Sequence, residues 1–401
     1  MIKKSILIFG LGELQQSLIE RCKQKGLYTI GIDPSEIPVC KYFVDVFERV
    51  EDGNLERTLN IAKKYNISGV ITTATDKPLI MMARVAEKLN LPFYTVETAE
   101  VSTDKWLMKQ RFIQYDIPCA RGYIINCINE LYNLNLVYPL IVNPRDNSGS
   151  RGVIRCHNVE EVSMAVNEAF DFTKKENVLV EEFIEGKEYS VEGIHYNNHS
   201  HVIQITEKIT SNYPYNVELG HIQPAELSGR TRKIIQGLLN QIAKAFGFNN
   251  CASHTELKIN SKGIFIIETS PRLGGDFITS HLVPLSTGIN MQDILIDISI
   301  GHPIENDFFY PILNYSSGII YIELSMGDII SIKNLEQINK IEGVYSYNFN
   351  LHIGDTVKKI TNSLNRYGFV ILQATKRKLL EIQINRIKHI INTNIIIKSH
   401  E

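Results

Sequence analysis

The stretch from Thr255 to Gly275 constrains this chain more than any other, because it reads as a hairpin carrying two carboxylates on one face. With Asn260 facing Ile264 across the three-residue loop Ser261-Lys262-Gly263, Glu256 falls directly opposite Glu268. Side chains alternate along a strand, so Leu257, Ile259, Phe265 and Ile267 are expected on an apolar face. Glu256, Lys258 and Glu268 then share the other with Ile264 and Ile266. Two carboxylates facing each other repel unless a cation or a proton lies between them, and a divalent metal is the natural guest. Pro271-Arg272-Leu273-Gly274-Gly275 follows at once, placing a planar guanidinium beside flexible backbone, a pairing suited to phosphate.

At 401 residues the chain exceeds one ordinary core and should divide into two or three domains. A composition of 44% hydrophobic and 21% charged residues, with a mean hydropathy of -0.08, is that of a soluble globular protein. A formal charge of -2 gives no general attraction to nucleic acid or to an anionic membrane. The six cysteines show no CxxC spacing, which points to a reducing cytoplasm. The apolar run Ile6 to Leu11 is too short for a signal peptide or a membrane span.

The first hundred residues read as an open α/β domain. Ser5 to Gly12 is a buried strand entering a glycine turn, Leu18, Ile19 and Cys22 continue as a helix, and Tyr28 to Asp33 is a second strand. Ile67 to Thr73 looks like another strand with a helix from Pro78 to Leu89, and the unit repeats weakly at Pro92 to Thr95. Gly10-x-Gly12 lacks the third glycine of a dinucleotide fingerprint, so it carries only a weak signal for a nicotinamide cofactor with Asp33 on the ribose.

From Asp104 to Phe112 the sequence predicts a basic helix, and from Tyr138 to Asn143 a strand. The small-residue loop 145–153 follows, with Ser148, Gly149 and Ser150, whose successive amides can point at one anion. After a helix from Val159 to Phe172, the strand Val178 to Ile184 stops at Glu185-Gly186 and resumes through Glu188. Such a pair can wall an adenine slot, with a carboxylate beyond the turn for the ribose. Lys208 could read a phosphate or carboxylate and Glu218 an amine; both equally suit a solvated loop. Thr231 to Phe246 is an amphipathic helix whose expected core stripe is Ile234, Leu238, Ile242 and Phe246. The last hundred residues read as a β-rich packing domain with a helix from Lys376 to Ile391, able to cover a cleft or form a homodimer surface.

In this order, Lys105, the loop 145–153, Glu181 to Ile184 with Glu188, then Glu256, Glu268 and Arg272 resemble the ATP-grasp superfamily. Within it the chain looks most like the stand-alone carboxylate–amine ligases, including L-amino acid ligases. That likeness rests on Asp146 to Val153, on Gly220-His221-Ile222-Gln223-Pro224-Ala225 and on Ser270 to Asp276. The resemblance implies an ATP-grasp fold of mixed α/β and α+β class. Its parts would be a Rossmann-like pre-ATP-grasp domain (1–100), an ATP-grasp domain (101–300, divided at 185/186) and a C-terminal β-rich domain (301–401). It implies ATP and Mg2+ (or Mn2+) as cofactors, with a small carboxylic acid and an amine as substrates. By the same resemblance Lys105 meets the nucleotide phosphates, and Ser148 to Ser150 close over them. Glu181, Glu182, Phe183 and Ile184 hold adenine, and Glu188 holds ribose. Glu256 and Glu268 bind metal, Arg272 steadies the transferred phosphate, and Lys208, Glu218, His221, Gly274 and Gly275 face the second substrate. Two positions depart from the family pattern. Asn143 stands where a lysine is usual, and Ser270 where an asparagine metal ligand is usual, which leaves a catalytically weakened ATP-binding protein as one alternative, beside a dinucleotide-dependent oxidoreductase built on Gly10, Gly12 and Asp33.

Overall fold

The computed structural model describes residues 3–399 apart from 148 and 212. Its first unit is a four-stranded parallel sheet in the order Val46–Arg49, Tyr28–Asp33, Ser5–Phe9, Ile67–Ile71. The apolar runs Ser5–Phe9 and Tyr28–Asp33 form the inner strands, as expected of a sheet covered on both faces. The expected strand at 92–95 is absent, and that stretch instead leads into the helix Val96–Thr103. The remaining sheet position goes to Val46–Arg49, an edge strand with Glu48 and Arg49 that shows no apolar run.

A small antiparallel sheet, Gly122–Ile125, Val178–Glu182, Leu140–Asn143, Ile154–Cys156, is backed by the helix Val159–Phe170 around Leu140, Val142, Val162 and Val166. Its strand Val178–Glu182 does not pair with Lys187–Tyr196. The two strands belong to different sheets, so residues 183–186 form the connection between layers. Gly186 allows the crossing, with φ +145 and a Cβ position 2.5 Å from the Ile259 carbonyl oxygen.

The large sheet has eight strands in the order Gly263–Ser270, Cys251–Asn260, Lys187–Tyr196, His199–Thr210, Glu218–Gln223, Ser316–Tyr321, Gly368–Ala374, Val344–Phe349. It runs without a break across residue 300, because Glu218–Gln223 pairs with Ser316–Tyr321. A further three-stranded sheet and the helix Arg377–Asn394 complete the C-terminal segment. Among the described residues no helix is long and apolar enough to cross a membrane.

The hairpin differs in detail from the sequence reading. Asn260 faces Gly263 across the two residues Ser261 and Lys262. A bulge after Glu256 absorbs Ile267, which is 37% exposed, and brings Glu256 back opposite Glu268. The core face therefore consists of Leu257, Ile259, Ile264 and Ile266, not the set with Phe265 and Ile267. The helix Gly229–Phe246 likewise buries Ile235, Leu239, Ile242 and Phe246, while Ile234 is 48% exposed.

Candidate functional site

A cleft of about 870 Å³, counting its solvent-open mouth, lies between the small sheet and the hairpin end of the large sheet. Lys105, Asn143, Gly149, Ser150, Glu181, Glu182, Phe183, Ile184, Glu188, Glu218, Glu256 and Glu268 all line it. Ser148 lies outside the described residues. Ser270, Arg272, Gly274 and Gly275 lie beyond Glu268 on the continuing chain and are not part of this lining, nor are Lys208 and His221.

Both hairpin carboxylates are matched by an ammonium group. Lys105, the first residue of the helix Lys105–Gln114, pairs with Glu268. Lys208, its side chain 2% exposed, stands among three carboxylates: Glu188 at 2.8 Å, Glu256 at 2.9 Å and Glu218 at 3.3 Å. Burial opposes its charge, but those three acids hold its pKa well above the ordinary lysine value. Burial likewise resists ionisation of Glu256, yet Lys208 and then His254 keep its pKa well below the usual carboxylate range.

His254 links this pair to a deeper acid. Its Nδ1 lies 2.8 Å from Glu192 and its Nε2 3.3 Å from Glu256. Burial would discharge the ring, and Glu192 and Glu256 overcome that, raising its pKa to about 9. The stabilisation is therefore complete below the ordinary value of 6.5 and fades as pH rises through about 9. Gly274 packs against this buried pair: a Cβ there would lie 2.6 Å from Glu192 Oε2 and 2.7 Å from His254 Nδ1. Gly274→Ala is expected to cost about 1–3 kcal/mol in urea unfolding. An unchanged midpoint would show that the loop yields freely.

Three positions have partners that sequence reasoning missed. Asp76, from the N-terminal unit, accepts from Arg272 Nε at 2.8 Å and Nη2 at 3.2 Å, and from the Ser270 hydroxyl at 2.6 Å. It lies just past the carboxyl end of the strand Ile67–Ile71, where ligand crevices of such sheets form, and that placement was a usable signal. Lys109, one turn after Lys105 and 4% exposed, lies 2.5 Å from Glu181 and donates to the Ala120 carbonyl. Asn143 donates to the other Glu181 oxygen at 2.9 Å. A positive charge thus reaches this carboxylate from the helix rather than from position 143. Asp276 receives a two-pronged contact from Arg366, 90 residues further on, which no local pattern reveals.

The glycine turn is already committed internally. Gly10 N bonds to Ile32 O, Leu11 N to Asp33 Oδ2 and Gly12 N to Gln15 Oε1, leaving neither these amides nor that Asp33 oxygen free for a dinucleotide.

Among the described residues no group of three or more His, Cys, Asp or Glu side chains is arranged to hold a metal alone. Glu256 and Glu268 nonetheless suit Mg2+, which commonly takes one or two carboxylates and completes its shell with water and phosphate oxygens. Ser270 directs its hydroxyl to Asp76.

A family model described as an ATP-grasp domain matches residues 136–280, and one described as L-amino acid ligase C-terminal domain 2 matches residues 321–388. Alanine–anticapsin ligase of Bacillus subtilis (strain 168) is 24% identical over 273 residues, covering 62% of this chain and 57% of that protein. The chain thus spans less than three fifths of that relative's length. Dapdiamide A synthase of Enterobacter agglomerans is 22% identical over 363 residues, 85% of this chain and 83% of that one. The crystal structure of L-amino acid ligase from Bacillus licheniformis has a TM-score of 0.83 at 21% identity, covering 100% of this chain and 99% of that one, which shows a shared fold.

Proposed function

Because the chain carries an ATP-grasp domain followed by the C-terminal domain of L-amino acid ligases, we propose that it is an ATP- and Mg2+-dependent carboxylate–amine ligase. The observation that carries this reading is the Glu256–Glu268 pair on the cleft, each member held by a buried or half-buried lysine. Mg2+ held by these two carboxylates would offset charge on the nucleotide phosphates.

A carboxylate resists attack by an amine because its own charge repels the nucleophile. Transfer of the ATP γ-phosphoryl group to a carboxylate oxygen makes an acyl phosphate and releases ADP. The amine then attacks the carbonyl carbon, loses a proton, and expels phosphate with that oxygen. Lys105 and Arg272 neutralise charge during transfer, while Glu181 to Ile184 orient the base and Glu188 the ribose. The loop 145–153 excludes water that would hydrolyse the intermediate. Glu218 faces the amine-bearing substrate from the cleft wall, and His221 acts on that region through Asp276.

Expected outcomes are a rise in Tm with Mg-ATP and ADP release when pairs of proteinogenic L-amino acids are supplied. Absence of ADP from every pair, with the Tm shift retained, would favour the ATP-binding protein without ligase turnover. Asn143→Lys, run in parallel, decides whether that position limits catalysis. Turnover by the variant alone marks Asn143 as the defect, and turnover by both shows that the native site has another donor.

A further inference from the structure

The C-terminal segment reaches into the wall of the cleft at Glu218. Ser363 Oγ donates to Glu218 Oε2 at 2.9 Å, and Arg366 Nη1 reaches the Glu218 carbonyl at 3.3 Å. The Arg366 guanidinium also forks onto Asp276, with both contacts at 2.7 Å, and lies 3.6 Å from the centre of the Tyr321 ring. Asp276 is in turn 3.2 Å from His221 Nε2. Three separated parts of the chain thus converge on one arginine, whose side chain is 11% exposed.

The backbone it clamps is strained. Asp276 and Phe277 follow Gly274-Gly275 with φ of 50 and 60, left-handed values unusual for successive non-glycine residues, and a π-turn of helix begins at Ile278. Such strain persists only where surrounding contacts over-determine it, and it clusters at ligand clamps. Glu218 itself lines the cleft, and its carboxylate is held by Ser363 at one oxygen and by Lys208 at the other, while Arg366 holds its backbone carbonyl.

We propose that Ser363 and Arg366 are positioning residues for the subsite that binds the amine-bearing substrate, and that the C-terminal domain thereby sets amine affinity. This rests on the ligase reading above. Ser363 aims the Glu218 carboxylate, and Arg366 holds Asp276, and with it His221, in register with that carboxylate. The contacts of these two residues are to Glu218, Asp276 and Tyr321, outside the residues assigned to the nucleotide.

The test measures ADP release at saturating Mg-ATP against rising concentration of each proteinogenic L-amino acid. Ser363→Ala is expected to raise the amine KM about tenfold and Arg366→Ala about 30-fold or more, as loss of charge-assisted hydrogen bonds entails. Arg366→Lys keeps the charge but not the fork and should recover part of the loss. KM for ATP and the Mg-ATP Tm shift should stay within about twofold and a degree of the parent, respectively, which a general folding defect would not allow. Should Ser363→Ala and Arg366→Lys leave the amine KM unchanged, or shift both KM values together, the positioning role is overturned and the ligase reading stands. A parent protein releasing no ADP with any amino-acid pair overturns the ligase reading, and this role with it.

Discussion

Lys208→Met is expected to lower the unfolding free energy of the metal-free protein by about 3–5 kcal/mol, the usual result of removing one partner from a buried charge cluster. Lys208 is 2% exposed and lies within 3.3 Å of Glu188, Glu218 and Glu256. Methionine preserves much of the apolar stem, so the change isolates the lost ammonium rather than a cavity. Three carboxylates then share a poorly solvated site in which His254 and Lys258 remain as cationic neighbours. Millimolar Mg2+ should return part of the loss, because a dication accepted by Glu256 and Glu268 supplies the charge that Lys208 no longer does.

The pH dependence has a definite sign. In the parent, Glu256 has a depressed pKa, so its contribution is present above the ordinary carboxylate value of 4.5 and disappears as pH falls through the folded value. In the variant the same carboxylates lose their main counter-charge and protonate more readily. The stability gap between parent and variant should therefore be widest near neutrality and shrink on acidification. Urea unfolding at several pH values, with and without Mg2+, measures both effects. A gap that is constant with pH and indifferent to Mg2+ would show that Lys208 contributes packing alone.

What the sequence disclosed and what it hid divide along physical lines. The Glu256–Glu268 pairing was legible because strand alternation fixes which residues share a face. The bulge at Ile267 was not, since the shorter turn and the extra residue cancel at the glutamates and leave no trace in their spacing. The helix Gly229–Phe246 was legible as amphipathic, but a strict four-residue row advances about 400° per step and drifts about 40° around the axis each time. Ile235, Leu239, Ile242 and Phe246 alternate steps of four and three and so remain on one face. Val46–Arg49 escaped notice because a half-exposed edge strand needs no apolar run. Asp76, Lys109 and Arg366 join the site through tertiary contacts, and only Asp76 occupies a position that topology alone marks as ligand-facing.

Asp76 also explains why Arg272 should tolerate no conservative exchange. Arg272→Lys is expected to reduce ADP-releasing turnover by about 10²–10³-fold, the range for removing one preorganised charge-stabilising donor. The guanidinium is 11% exposed and is tied by Nε and Nη2 to the two Asp76 oxygens and by Nη1 to the Leu273 carbonyl. Burial opposes its charge, yet Asp76 and, more weakly, Glu268 raise its pKa further. A lysine ammonium is a point charge on a flexible stem and cannot hold both oxygens in that plane, so its position during phosphoryl transfer would wander. Asp76→Asn should act in the same direction and less strongly, because the arginine survives while losing its ionised anchor. Both variants should keep the Mg-ATP thermal shift, since Glu181 to Ile184 and Glu188 are unchanged and the defect lies in turnover. Retention of parental turnover by Arg272→Lys would remove Arg272 from the chemistry and leave it as a strut joining the N-terminal sheet to the strand that carries Glu268.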